Sequence, residues 1–195
     1  MRNPGGALPL MAAAVLVLSG CASDSTATTE APLCAGGDNE SATNGVVLMA
    51  QSVPTASWVP CLGTALPLGW TFHHLDARND VATFWLDSDR DGQKAIEVRL
   101  EGSCDTSGTT EIASEREGMR RFERVTRTTP GYEGERYYVF EGGCITVVFR
   151  LTGDSRGEAL ALATQSVGAV SRTDLRQQVH DDTDGRLSLD PAGDG

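Results

Sequence analysis

The stretch that decides the fold is Trp70-Thr-Phe-His-His-Leu75, followed after five residues by Val81-Ala-Thr-Phe-Trp-Leu86. Both segments are rich in aromatic and β-branched residues, which favour β-strands. The polar residues 76–80 between them predict a turn, so the two segments form a hairpin. The neighbours His73 and His74 are expected to face opposite sides of the first strand, which prevents them from binding one metal ion together.

More strand signals follow this hairpin. Residues 95–100 alternate apolar and charged side chains, as a half-buried strand does. Residues 136–140 and 145–151 flank Glu141-Gly142-Gly143-Cys144 and predict a second hairpin. Residues 119–127 fit a strand better than a helix, because Gly118 interrupts the helical spacing of the arginines there. The pattern therefore predicts a mostly antiparallel sheet of five to six strands.

Helical spacing of apolar residues appears on both sides of these strands. Residues 45–53 predict an N-terminal helix with Asn44 as its N-cap. Residues 155–170 predict a C-terminal helix, which begins with the capping box Ser155-x-x-Glu158, and a short helix is expected over 174–179. Hairpins with helices packed on one sheet give an α+β fold.

The N-terminus carries an export signal, since Arg2 precedes the apolar run 8–18, which ends in Leu18-Ser19-Gly20-Cys21. The run is shorter than the roughly 20 residues that span a bilayer and has the length of a signal peptide. The segment resembles the lipobox of bacterial membrane lipoproteins. Lys94 is the only lysine in the chain, and this preference for Arg points to a GC-rich, actinobacterial source.

The resemblance implies that the chain is cleaved before Cys21 and that Cys21 is acylated, with palmitate or a similar chain. The protein would then be anchored on the extracytoplasmic face of the cell membrane. The alternative is an ordinary cleaved secretory signal with an incidental cysteine. The expected organisation is a signal peptide (1–20), a flexible tether (21–33), a single globular domain (34–180) and an acidic, disordered tail (181–195).

Four cysteines remain after Cys21, and an even number in an exported chain predicts two disulfides. Three connectivities are possible, and the moderate loops closed by Cys34–Cys61 and Cys104–Cys144 favour this pairing. No spacing is C-x-x-C, which argues against zinc and thioredoxin-like chemistry.

The formal net charge of −11 argues against nucleic acid as a partner, because phosphate binding needs clustered Lys and Arg. It also argues against a polybasic membrane contact, so the lipid must supply the anchoring. The arginines between 116 and 127 alternate with glutamates, which favours a salt-bridged, solvated surface. The aromatic residues are expected in the core or on strand faces; they are Trp58, Trp70, Phe72, Phe84 and Trp85.

One motif suggests an enzyme. Residues 153–157, Gly-Asp-Ser-Arg-Gly, match the G-x-S-x-G nucleophile elbow, with Ser155 as nucleophile and His180 as base. The match is weak, because hairpins precede it where a hydrolase needs parallel strands, and His180 follows too soon for the rest of that fold. No catalytic residue is therefore assigned, and the serine hydrolase is kept only as an alternative.

A second motif suggests a metal. Asp87, Asp89 and Asp91 form D-x-D-x-D-G with Gly92, which resembles the opening of an EF-hand loop and the calcium hairpins of integrin-type repeats. The later ligand positions fall on Ala95 and Val98, which offer no side-chain oxygen. The three aspartates are therefore a weak calcium candidate, with a solvated turn as the alternative, and residues 181–185 are weaker still.

Together these observations predict a non-enzymatic binding or sensory module that a lipid holds at the cell surface. It needs no cofactor, and its partner is an unidentified protein or small molecule. A calcium-stabilised structural domain is the second hypothesis.

Overall fold

The computed structural model describes residues 25–34 and 41–190. The predicted signal peptide and Cys21 lie outside these residues. Among them, no helix is long and apolar enough to cross a membrane. The strands are β1 (Ser25–Thr28), β2 (Trp58–Leu62), β3 (Trp70–Arg78), β4 (Val81–Ser88), β5 (Gly92–Glu101), β6 (Thr110–Ile112), β7 (Arg120–Arg127), β8 (Tyr132–Phe140), β9 (Gly143–Leu151) and β10 (Val167–Ser171). The helices are α1 (Asn44–Ser52), α2 (Arg156–Ser166) and α3 (Arg172–Asp182).

Eight strands form one sheet in the order β1-β3-β4-β5-β9-β8-β7-β6, in which all neighbours are antiparallel. Two meanders, β3-β4-β5 and β6-β7-β8-β9, meet at the central pair β5–β9. This confirms the predicted α+β class with a mostly antiparallel sheet. The expected five to six strands were too few, because β1 and β6 are short, largely exposed edge strands without an apolar pattern.

The helices and the two-stranded sheet β2–β10 pack on one face of the large sheet. Alternate side chains of the central strands point into this layer, where Phe84 and Phe149 are fully buried. Met49 of α1 and Leu175 of α3 complete the core from the other side. The alternation seen in the sequence thus selects which face of the sheet is covered.

Two disulfides join Cys34 to Cys61 and Cys104 to Cys144, the pairing that the sequence favoured. The first ties the chain after β1 to strand β2. The second fixes the β5–β6 connection to β9 on the uncovered face of the large sheet, where Cys104 Sγ lies 3.2 Å from Thr146 Oγ1.

The helix predicted over 155–170 ends early, at Ser166. Residues 167–171 form β10 instead and pair with β2, which the sequence analysis missed. Gly168 allows this pairing, because a Cβ there would lie 2.6 Å from Cys34 Sγ. Tertiary packing against the first disulfide therefore overrides the local helical pattern.

The tether and tail boundaries also need correction. Residues 25–28 are paired with β3, and Leu33 forms a bridge with Leu62, so the described part of the expected tether belongs to the domain. At the other end α3 continues to Asp182, and Leu189 is only 3% exposed. Leu189 and a hydrogen bond from Arg172 Nη2 to the Asp190 carbonyl (3.1 Å) pack this part of the expected tail against the domain.

The expected arrangement of His73 and His74 was also wrong. A β-bulge between Phe72 and His74 shifts the register of β3 against β4. The two imidazole rings consequently lie 4.7 Å apart instead of on opposite faces. Neither the residue types nor their spacing signals this extra residue.

Candidate functional site

A cleft of about 820 Å³ lies at one end of the large sheet. Its walls are the connection before β3, the β4–β5 turn and the start of α2. The residues that line it include Asp89 and Asp91 of the D-x-D-x-D-G motif and Ser155 of the G-x-S-x-G motif. The structure therefore brings together two motifs that lie more than sixty residues apart in the sequence.

The β4–β5 turn is organised by Ser88, which is buried at the end of β4. Its hydroxyl oxygen accepts hydrogen bonds from the backbone N–H groups of Arg90 (3.2 Å) and Asp91 (3.1 Å). The same hydroxyl group donates to Asp91 Oδ2 at 2.9 Å. Gly92 follows with a φ of 94°, a conformation that glycine adopts without strain. These contacts fix the direction of the Asp91 carboxylate.

Asp91 connects this turn to the G-x-S-x-G loop. Its Oδ1 atom accepts hydrogen bonds from the backbone N–H groups of Thr152 and Gly153, each at 2.8 Å. Since a charge-assisted hydrogen bond is stronger than a neutral one, the carboxylate is a firm link between two loops. Asp91 therefore shapes the cleft, and both of its carboxylate oxygens are engaged in hydrogen bonds within the protein.

Asp87 is likewise engaged, away from the cleft. Its Oδ1 accepts from the Lys94 N–H at 2.7 Å, and its Oδ2 lies 2.8 Å from His73 Nδ1. Burial raises the pKa of Asp87, but the hydrogen bonds from Lys94 and His73 outweigh it and hold that pKa below its ordinary value. The carboxylate is therefore ionised at neutral pH, and each of its oxygens already has a hydrogen-bond partner, in β5 and β3 respectively.

The three aspartates thus do not converge on one centre, and of the three only Asp89 is exposed. Within residues 25–34 and 41–190 no group of three His, Cys, Asp or Glu side chains could hold a metal ion. The carboxylate arrangement on which the calcium hypothesis rested is therefore not formed by the described residues.

Ser155 lies at the N-terminus of α2, where its side chain makes no capping hydrogen bond. The predicted capping box with Glu158 is therefore not formed, although the Ser155 carbonyl accepts from the Ala159 N–H at 2.9 Å. His180 lies on α3 beside Gly185 and does not line the cleft. The structure does not bring together the nucleophile and base that the sequence suggested.

The opposite wall of the cleft is apolar, and most of its residues carry no motif in the sequence. Leu68 is fully exposed, Leu162 is 40% exposed, and Trp70 closes the floor. Gly69, between Leu68 and Trp70 in the chain, has a φ of 84°, and a Cβ there would lie 2.5 Å from Asp89 Oδ1. Glycine at this position lets the Asp89 carboxylate lie against the backbone next to the exposed leucine.

The charge of the cleft is unbalanced. Four carboxylates and a single guanidinium, that of Arg90, line it; the carboxylates belong to Asp89, Asp91, Asp154 and Glu158. An acidic surface beside an apolar wall attracts groups that are both cationic and apolar.

The uncovered face of the large sheet has a shallower concavity of about 310 Å³ near Trp85. The Trp85 ring stacks on His74 at 4.5 Å, and the Lys94 ammonium lies 4.6 Å from its centroid. Its Nε1–H donates to Glu97 at 3.1 Å. The charged side chains here are already paired with each other, which makes this surface a weaker ligand site.

The arginine cluster is salt-bridged, as expected, but most of its partners are glutamates outside 116–127. Arg120 binds Glu111 through two hydrogen bonds, and Arg124 pairs with Glu135. Arg116 differs, because its guanidinium donates to the Val167 carbonyl and stacks on Tyr138. The cluster therefore offers no free anion site among these residues.

Comparison with protein-family models, curated proteins and solved structures finds no match for this chain.

Proposed function

We propose that this protein is a lipid-anchored, extracytoplasmic binding module and that the cleft is its ligand site. The observation that carries the proposal is the fully exposed Leu68 in a cleft where four carboxylates face a single guanidinium, that of Arg90. A monomeric domain gains nothing in stability from such an arrangement, and it suits the capture of a ligand. The lipobox residues 18–21 support the anchor.

The expected ligand is a small molecule with a cationic group and an apolar body. Ligand pockets have volumes of roughly 300–1,000 Å³, and the cleft lies within this range. The cation would lie near Asp89, Asp154 and Glu158, while the apolar body would contact Leu68 and Leu162. Asp91 would hold the two loops in place without contacting the charge directly.

The serine hydrolase and the calcium-stabilised domain remain weaker hypotheses. The first needs a base beside Ser155, and the second needs carboxylates directed at one point. The described residues supply neither arrangement. A fluorophosphonate probe that labels Ser155 would support the hydrolase directly. A thermal shift with calcium that is lost in Asp89→Ala would support the metal-stabilised domain.

Binding can be tested by NMR titration of the chain with benzyltrimethylammonium, using benzyl alcohol and benzoate as neutral and anionic controls. We expect the cation to shift the amide signals of 68–70, 88–91 and 153–162. Neutralising Asp89 and Glu158 together (Asp89→Asn, Glu158→Gln) should weaken binding roughly tenfold, as the loss of two partly screened charges predicts. The matched control neutralises Glu115 and Glu117, which are exposed and outside the cleft.

Equal binding of the cation and benzoate, or no change in the double variant, would contradict the proposed site. The anchor is tested separately, by mass spectrometry of the mature chain and by fractionation of Cys21→Ser. We expect an acylated N-terminal Cys21 in the membrane fraction and release of the variant into the soluble fraction.

A further inference from the structure

We infer that the anchored domain meets the bilayer with the end of the large sheet opposite to the cleft, so that the cleft opens away from the lipid. This inference rests on the proposed acylation of Cys21. It adds an interaction surface, for which the partner is the headgroup layer of the membrane.

Only a short length of chain separates the proposed anchor from the folded domain. Cys21 and Ser25 are four residues apart. An extended chain spans at most about 3.6 Å per residue, so the two Cα atoms are at most about 14 Å apart. Ser25 begins β1 and pairs with Arg78, the last residue of β3. The lipid must therefore attach close to the end of the sheet where β3 stops.

We call this end the anchor end, and several tight contacts assemble it. The β3–β4 turn at 79–80 is bound to the end of α1, since the Asp80 N–H donates to the Ser52 carbonyl at 2.8 Å. The β8–β9 turn lies against the same segment, because a Cβ on Gly142 would lie 1.9 Å from the Thr55 carbonyl oxygen. The anchor end is thus a packed surface that turns and a helix terminus build together.

The cleft lies at the other end of the same strands. Trp70 begins β3 and pairs with Ser88, which ends β4, and both line the cleft. From Trp70 to Arg78 the strand rises about 26 Å at 3.3 Å per residue. This is almost twice the reach of the tether. The tether therefore holds the anchor end at the membrane while the mouth of the cleft remains distant from it.

Charge decides how the anchor end contacts lipid. It presents the carboxylates of Asp80 and Glu141, while Arg78 is paired with Asp76 and Glu101 with Arg99. The surface is therefore acidic on balance, and anionic headgroups repel it. Attachment therefore comes from the acyl chains, and the protein surface rests on the headgroups without inserting. A ligand reaches the cleft from the aqueous side.

The test uses the mature lipidated chain in phosphatidylcholine vesicles that contain a headgroup spin-labelled lipid. One variant carries a fluorophore on a cysteine introduced at the anchor end (Asn79→Cys), and the other at the cleft (Arg90→Cys). We expect the quencher to reduce the fluorescence at residue 79 several times more strongly than at residue 90. A 20-residue Gly/Ser insertion between Asp24 and Ser25 should remove most of this difference, because its r.m.s. length adds about 25 Å of reach.

Equal quenching at the two positions in the chain with the natural tether, or stronger quenching at 90, would overturn the orientation. Mass spectrometry of the same samples separates the two proposals. An unmodified Cys21 refutes the anchor and the orientation together. An acylated Cys21 with equal quenching refutes the orientation alone.

Discussion

Asp91 and Gly153 are joined by a 2.8 Å hydrogen bond from the glycine amide to the carboxylate, across 62 positions of sequence. The same oxygen accepts from the Thr152 amide, and the other oxygen binds the Ser88 hydroxyl group. One side chain thus holds the turn after β4 against the loop before α2. The shape of the cleft depends on this link.

Replacement of this carboxylate should destabilise the domain. Asp91→Ala leaves two amides without their acceptor, and we expect the free energy of unfolding to fall by about 2–3 kcal/mol in urea denaturation. The matched control is Asp89→Ala, two residues earlier and exposed, for which we expect a change within about 0.5 kcal/mol. Equal losses of unfolding free energy in the two variants would show that the hydrogen bonds of Asp91 do not stabilise the domain more than the exposed Asp89 does.

The two serines that precede helices provide a second comparison. Ser171 Oγ accepts from the Asp174 N–H at 3.0 Å and caps α3, whereas the Ser155 side chain makes no such bond at α2. We therefore expect Ser171→Ala to cost about 1 kcal/mol of unfolding free energy and Ser155→Ala to cost much less. Thermal denaturation of both variants measures the difference. A larger loss for Ser155→Ala would restore the predicted capping box.

Tyr137 predicts a pH dependence at the alkaline end. Burial, together with its hydrogen bond to Glu135, raises the pKa of Tyr137 to about 12 from an ordinary value of 10. Because the folded-state pKa is the higher one, the stabilisation is complete below pH 10 and is lost as the pH rises toward 12. In Tyr137→Phe we expect lower stability at pH 8 and a shallower loss between pH 10 and 12, measured by urea denaturation. Parallel curves for the two proteins would contradict this.

Removal of the Cys104–Cys144 disulfide should act mainly through the unfolded chain. The bridge closes a sequence separation of 40 residues, for which the chain-entropy relation gives about 4 kcal/mol. We expect the double variant Cys104→Ala, Cys144→Ala to lose close to this amount and to show faster hydrogen exchange over 102–109, the loop that the bridge fixes to β9. Unchanged exchange in the loop would mean that other contacts hold it there.

The sequence predicted the central strands well, because their pattern reflects burial on one face. In β5 the buried Ile96, Val98 and Leu100 alternate with charged residues, and the structure places them in the core. The same logic failed for His73 and His74, where a bulge adds one residue without changing the composition. It failed again at 167–171, where the partner strand β2, distant in sequence, determines the conformation.

The candidate site was only half visible in the sequence. The acidic turn suggested calcium binding, and the G-x-S-x-G loop suggested a serine nucleophile. The described side chains form neither arrangement. Leu68 and Trp70 carried no motif, and only the fold shows that they face the same cleft. Gly69, which lies between Leu68 and Trp70, has a positive φ and could have marked a turn there. A glycine in the sequence does not by itself show that its φ is positive, because the three-dimensional packing determines it.

If Cys21 is acylated as proposed, strand β1 gives the protein a mechanical property. A pull on a bound ligand, opposed by the lipid, loads β1 along its length. Two sets of contacts resist it, first the four-residue ladder to β3 and then the contacts of residues 30–33, which are the hydrogen bonds from Asn44 to the Glu30 carboxylate and the bridge at Leu33. If both yield, extension stops at Cys34, because its covalent bond to Cys61 transfers the force to the core. The chain between lipid and domain then lengthens from four residues to thirteen, with a reach of about 45 Å. Under the proposed acylation, the connection between lipid and domain is thus short at rest and lengthens under tension.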